Sequence, residues 1–353
     1  MASSIKQSVG TPLDLVDTLA ADARRRLAAV SVTTAEELLG LIAADGPGTQ
    51  RLLDIDNLAA LQADAGFVAS SSSTPSLDSA PQEIYWTGAS KPADVEPVHV
   101  SLDDVLAHAP ANGLHRAGGE PGSGTRFLDC FGPLRNQGNR GTCVAHAVCA
   151  LAECLEGRDA GVVDLSEQYL YWDAKEHDGR PQSEGTHISV AMARMCQDGT
   201  CPEDAWPYNP EPEAGNESEG PPPADAAAAA AQHRLADSDD LGRGDADAIR
   251  RALDEQRPVA VAVPVFANWK GNPMLKLSGF IPLPLPGSAF DGGHAMCAAG
   301  YDYDDQFTGG GYFILRNSWG AGFAPSSPVA PGHALLPFAY WEDYGWEAFA
   351  GTR

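Results

Sequence analysis

The stretch Asn136-Gln137-Gly138-Asn139-Arg140-Gly141-Thr142-Cys143 runs directly into an apolar, helix-favouring segment, Val144 to Glu156. The rest of the chain is organised around that junction. A cysteine is a useful nucleophile only as the thiolate, and a helix N-terminus stabilises that anion and lowers its pKa. Cys143 stands where such a field acts. Gly138 and Gly141 allow a tight approach, Thr142 is a candidate helix cap, and the Gln137 amide N–H is placed to reach an oxyanion.

A base has to come from elsewhere in the chain. Asp291-Gly292-Gly293-His294-Ala295-Met296 puts a histidine after two glycines, at the start of an apolar run to Tyr301 that reads as a core strand. Tyr312-Phe313-Ile314-Leu315-Arg316-Asn317-Ser318-Trp319-Gly320 reads as a second buried strand ending in a polar-aromatic turn. Asn317 can accept the proton on the other nitrogen of the His294 ring and fix its tautomer, and Trp319 can keep water off that bond.

Taken in order, Gln137, Cys143, Gly292-Gly293-His294 and Asn317-Ser318-Trp319-Gly320 resemble the papain-type (C1 family) cysteine peptidases, of bacterial or archaeal type. His294 and Asn317 follow Cys143 by 151 and 174 positions, beyond the usual separation of about 130 to 150. Leu165-Ser166-Glu167-Gln168 and Trp206-Pro207-Tyr208 resemble further family landmarks, and the likeness covers roughly 122 to 353. It implies an α+β fold of two lobes, a helical left lobe and a β-rich right lobe, with Cys143, His294, Asn317 and Gln137 as catalytic residues. It also implies Gly185, Gly293 and Trp319 as substrate-binding residues, no metal and no cofactor. The family usually has cysteine at the position of Arg140 and an aromatic at that of Val144, so a familiar disulfide is missing and one cleft wall is altered. His146 replaces a usually buried aromatic, and its direction along the helix suits a packed or solvent-bridged histidine better than a base.

The chain has 353 residues, 43% of them hydrophobic, and a net charge of −25, with 18 arginines and 5 lysines. Such acidity argues against nucleic acid or an anionic membrane as partner. The polar start, Met1 to Gly10, lacks the apolar centre of a signal peptide, and no run is long enough to span a bilayer. Seven cysteines without an export signal are most simply reduced thiols in a cytoplasm. Cys149, Cys154 and Cys297 lie in apolar stretches as small core residues. Cys196 and Cys201, five apart around Asp198-Gly199, could close a small disulfide, although reduced thiols are the simpler expectation.

Residues 1–67 read as a small all-α module, weakly similar to helix-hairpin-helix units. Leu13, Val16 and Leu19 have helical spacing, Thr33 with Glu36 makes a capping-box pattern, and Asp56 stands where it could cap a further helix. Nine acidic residues against five basic ones in this segment favour a protein partner over DNA. Residues 68–121, rich in serine, proline and glycine, read as a linker with a propeptide-like option: Tyr85-Trp86 could anchor it across the cleft. Residues 122–353 are the peptidase domain, interrupted by a low-complexity interval, 209–247, expected to be a mobile surface loop.

The function expected is a cytoplasmic cysteine endopeptidase acting on peptides or proteins through an acyl-enzyme. The alternative is a latent or inactive papain-fold protein that acts as an interaction or regulatory component through its N-terminal module.

Overall fold

The computed structural model describes residues 4–71, 75–82, 86–96, 98–111, 114–116 and 118–353. Its spine is β2 (Val259–Phe266), buried at all eight positions, paired antiparallel with β3 (Phe290–Tyr303). The alternation of side chains along a strand sends β2 into two different cores. Val259, Val261, Val263 and Val265 face one core, whereas Ala260 and Ala262 face another. The same division splits β3, with Met296 and Ala298 on one face and Ala295, Cys297 and Ala299 on the other. β1 (Asp237–Asp240), β4 (Gly311–Arg316), β5 (His333–Pro337) and β6 (Glu347–Thr352) complete a six-stranded antiparallel sheet in the order β1-β6-β2-β3-β4-β5.

The alanine face of β2 and β3 is smooth enough to receive α5 (Cys143–Ala160), with α6 (Glu167–His177) and α7 (Ile188–Gln197) behind it. The helix was expected to stop at Gly157; it continues, and Gly157 is where it runs close under the Cys130 carbonyl, 2.8 Å from where a Cβ would sit. The stop comes at Gly161, whose φ of 84° suits glycine. This helical lobe and the sheet form the two-lobed α+β arrangement expected.

The valine face is covered by the N-terminal helices, and here the structure departs from the expected separate module. Leu27 of α1 (Ala21–Ala29), Leu38 and Leu41 of α2 (Ala35–Leu53) and Leu61 of α3 (Ala59–Ser70) share one core with the sheet valines. Lys6 is buried, paired with Glu37 at 2.8 Å and lying 4.4 Å from the Phe307 ring centroid. Ser31 Oγ meets Thr308 Oγ1 at 2.8 Å, and Leu283 N donates to Val30 O. These apolar residues cannot bury their surface alone, because α9 (Ala246–Asp254), α12 (Phe338–Tyr344) and the sheet supply the other wall.

Local signals in this region are displaced. The capping box is formed by Thr34 and Glu37 rather than Thr33 and Glu36, while Glu36 accepts from Thr11 N and Oγ1. Asp56 is not a cap, since Asn57 Oδ1 takes Ala59 N at 2.8 Å. Leu13 and Val16 are buried, yet Leu13–Leu15 is only a 3-10 turn. From residue 98 onward the expected linker docks through Val100, Val105 and α4 (Leu102–Ala107). Two short helices, α10 (Ala267–Lys270) and α11 (Pro273–Ser278), pack against α2.

The interval 209–247 is likewise built in. Its α8 (Ala226–Ala230) buries Ala226 and Ala230 beside Tyr169, Leu235 is buried, and β1 closes the sheet edge against β6. Composition misled here because the small alanines of α8 fill a local apolar cluster and the aspartates of β1 contribute through backbone pairing. Cys154, expected as a free core thiol, is bonded to Cys130, while Cys143, Cys149, Cys196, Cys201 and Cys297 are free. Among the described residues no helix is long and apolar enough to cross a membrane.

Candidate active site

Three segments that are distant in sequence are tied into one surface by backbone pairing. Gln137 N donates to Ser318 O at 2.8 Å, Gly320 N donates to Arg135 O at 2.8 Å, and Asn136 pairs antiparallel with Trp319. The loop leading into α5 is thereby held in register with the loop that ends β4. Cys143, the first residue of α5, brings its Sγ within 3.4 Å of Ala295 N in β3. His294 precedes that amide in β3, and its Nε2 meets Asn317 Oδ1 at 2.8 Å.

The ring is held on two sides. Ser318 N also donates to Asn317 Oδ1 at 2.7 Å, and the Trp319 ring stacks on the imidazole at a centroid distance of 4.5 Å and 19° between planes. Asn317 Oδ1 is an acceptor, so His294 carries its proton on Nε2. Its Nδ1 has no hydrogen-bond partner. His294 and Asn317 thus bond directly, and Cys143 lies against the amide of Ala295, the next residue along β3.

The cleft is covered by the chain itself. Residues 86–90 cross it as a strap: Trp319 Nε1 donates to Trp86 O at 3.0 Å, and Gly88 N and Ala89 N both donate to Gly293 O at 2.9 Å. Thr186 completes the contact, donating to Gly88 O at 3.1 Å and accepting from Ser90 N at 2.8 Å in parallel pairing. Farther along, Arg180 donates to Ser90 Oγ and Arg243 pairs with Asp94. Gly88 passes so close to Gly141 that only a residue without a Cβ fits. The expected anchor was Tyr85-Trp86; Tyr85 lies outside the described residues, and Trp86 holds through its carbonyl while its side chain is 41% exposed.

Burial under the strap decides the protonation states. It pushes the Cys143 thiol up to about 11, against the pull of the Ala295, Gly88, Ala89 and Val144 amides and of the α5 N-terminus. It pushes His294 down to about 4, with the Asn317 bond acting the other way. Covered, the pair is a neutral thiol and a neutral imidazole over most of the pH range.

The remaining expected residues take more varied positions. Gln137 is buried, donating Nε2 to Arg140 O at 2.7 Å and accepting from Ser318 Oγ, which leaves one amide N–H for an oxyanion. Thr142 is the residue before α5 but makes no side-chain cap; its hydroxyl goes to Tyr208 OH at 2.6 Å. Gly185 lines the cleft, yet its N–H is spent on Tyr171 OH and its carbonyl on Lys175, so Thr186 supplies the backbone edge. Gly293 offers its carbonyl, and Trp319 does so through both ring face and N–H. Arg140, standing where the resemblance implies a cysteine, replaces a covalent tie with a network. It donates to Gln168 Oε1 and Asn209 O, pairs with Glu219 at 3.3 Å, and lies over the Tyr171 and Tyr208 rings. The strap glycine Gly88 was not singled out from the sequence, because only the folded cleft distinguishes it from other turn residues.

A family model described as papain family cysteine protease matches residues 126–326. An uncharacterised peptidase C1-like protein of Acanthamoeba polyphaga mimivirus is 25% identical over 222 residues, covering 59% of this chain and 65% of that relative. Xylellain, a cysteine protease from Xylella fastidiosa, shares the fold with a TM-score of 0.59 at 20% identity, over 77% of this chain and 98% of its own. Digestive procathepsin L 3 of Tenebrio molitor larval midgut gives a TM-score of 0.48 at 20% identity, over 67% of this chain and 71% of its own. With the family model spanning more than half of the sequence, the chain belongs to the papain family of cysteine proteases.

Proposed function

We propose that the protein is a cysteine endopeptidase whose triad is Cys143, His294 and Asn317. The observation that carries this is the His294 ring, locked by Asn317 on Nε2 and roofed by Trp319, with Nδ1 unpartnered, and the Cys143 sulfur 3.4 Å from the amide of the next residue in β3, Ala295. His294 Nδ1 takes the thiol proton and the sulfur attacks a peptide carbonyl. The C–N bond then breaks as the imidazolium gives its proton to the leaving amine. Water, deprotonated by His294, attacks the thioester, and the C–S bond breaks to release the acid. The free N–H of Gln137 and the Cys143 amide, which has no intrahelical acceptor, serve the oxyanion. Peptides or proteins are the substrates, and the step calls on no cofactor.

The full chain is proposed to be latent, because the strap over Gly293 and Thr186 occupies the edges a substrate backbone needs. The strap turns the amides of Gly88 and Ala89 toward the nucleophile, which makes it a poor target for attack. The alternative of an interaction component recruited through residues 1–67 retains two exposed apolar side chains there, Leu15 and Phe67. The cytoplasmic location expected from reduced thiols stands against the Cys130–Cys154 bond, which favours a compartment that permits disulfides. Counting free thiols in protein purified without reductant decides that point.

The catalytic proposal is tested by digesting an unbiased peptide library with the wild type and Cys143→Ala. Turnover that survives in Cys143→Ala overturns the mechanism.

A further inference from the structure

Behind the His294–Asn317 pair lies a small cavity of about 10 Å³, lined among others by Asn317, His146, Glu167 and Ala295. One water molecule needs roughly 10–15 Å³ measured in this way. Three side chains that line the cavity, all more than nine-tenths buried, carry a polar atom with no partner: Asn317 Nδ2, His146 Nε2 and Glu167 Oε2. Buried polar atoms are almost always paired, and each left unpaired is costly. We propose that one water in this cavity joins Asn317 Nδ2 to His146 and Glu167, so that His146 and Glu167 are positioning residues for the amide that orients His294. The inference rests on the peptidase reading for its consequence, though not for the water itself.

The hydrogen-bond directions are consistent. His146 Nδ1 lies 3.0 Å from the Thr142 carbonyl, which can only accept, so the ring proton is on Nδ1 and Nε2 is an acceptor. A water can accept from Asn317 Nδ2, donate to His146 Nε2 and bond Glu167 Oε2, reaching the three bonds typical of a buried water. An ion suits the site less well. Burial pushes His146 down to about 3 and Glu167 well above the carboxylate range, so both are neutral. Of the two guanidinium groups at the rim, Arg316 donates to the Gly132 and Pro133 carbonyls, and Arg135 has its charge paired by Asp164 while its Nε–H is left without a partner, a further donor that the same water can accept from. The mechanical effect falls on the amide. Oδ1 is already held by His294 Nε2 and Ser318 N, and a bond at Nδ2 makes the two ends of the amide inequivalent, opposing a flip that would set N–H against N–H.

The test has two arms on the full chain. High-resolution diffraction should show a water within hydrogen-bonding distance of Asn317 Nδ2; a cavity without density there overturns the proposal. In the second arm, Glu167→Leu should lower kcat about fivefold with KM unchanged, the worth of one hydrogen bond, and Glu167→Gln, which can still bond the water, should restore most of it. In an Asn317→Ala background Glu167→Leu should cost nothing further, whereas equal losses in both backgrounds make Glu167 merely structural and overturn its positioning role. Melting curves show that each variant is folded. If the full chain turns over too slowly to follow, the same cycle is read on iodoacetamide capture of Cys143. Because the strap is expected to slow the wild type, it is Gly88→Ala protein that neither cleaves nor is captured at Cys143 that counts against the peptidase reading, and the diffraction arm then still decides the water.

Discussion

Replacing Gly88 by alanine should open the cleft. The strap's backbone makes five hydrogen bonds, from Gly88 N and Ala89 N to Gly293 O, between Ser90, Thr186 and Gly88, and from Trp319 to Trp86 O. At about 1 kcal/mol each these amount to roughly 5 kcal/mol. Ordering the five residues from Trp86 to Ser90 costs about 1–2 kcal/mol per residue, or about 5–10 kcal/mol. The hydrogen bonds at most offset this, so the burial of Ala89 and Ser90 has to tip the balance, which leaves little margin. A Cβ on residue 88 would lie inside contact distance of three backbone atoms of Gly141, which cannot swing aside as a side chain could. Overpacking of this kind costs ~1–3 kcal/mol, which raises the open fraction roughly 5- to 150-fold. Opening admits water and removes the burial that holds the Cys143 thiol at about 11, so the helix N-terminus and the imidazole can stabilise the thiolate. The assay follows iodoacetamide capture of Cys143 and hydrolysis of a small fluorogenic peptide, for wild type and Gly88→Ala, from pH 5 to 9. Wild-type capture should stay slow across that range, and the variant should be faster in both readouts. A variant that melts like wild type yet is no faster in either refutes the strap argument.

Further outcomes follow from particular contacts. Asn317→Ala should lower kcat/KM about 10- to 100-fold by removing one bond to a ring that becomes charged, whereas His294→Ala should approach Cys143→Ala; equal and small effects of both would point to another base. Deleting residues 211–237, harmless if that interval were a loop, should lower Tm by roughly 6 °C or more. It removes buried Leu235, Ala226 and Ala230 and leaves the Arg140 guanidinium without Glu219. Burial pushes Glu153 up to about 7, so it keeps its proton in the folded chain where the unfolded chain has lost it; its contribution is present below about 4.5 and is lost as pH rises to about 7. Glu153→Gln should therefore gain stability relative to wild type between pH 5.5 and 8, read as Tm, and an unchanged difference would show that the carboxyl stays charged.

The sequence by itself determined the family and the order of the proposed triad along the chain. Cys143 opening a helix, His294 after two glycines and Asn317 closing an apolar strand are local arrangements, in which the proposed nucleophile, base and orienting amide each sit beside their own secondary-structure signal. The long apolar runs of β2 and β3 were legible for the same reason. What covers their two faces was not, because Val259 and Ala260 look alike in a hydrophobic run, and only the pleat sends one toward the N-terminal helices and the other toward α5. Residues 1–67 therefore read as a module of their own, although their apolar faces find their partners in the sheet. Residues 209–247 read as a loop because edge pairing through Asp237–Asp240 uses backbone groups that every residue carries. The Cys130–Cys154 bond and the passage of Gly88 between the lobes depend on approaches between segments far apart in sequence, which no spacing records. Only tertiary structure decided that the nucleophile lies buried beneath its own chain, and with it the protonation of Cys143 and His294: burial is a property of what packs on a residue, and the sequence around it is the same whether that cover is on or off.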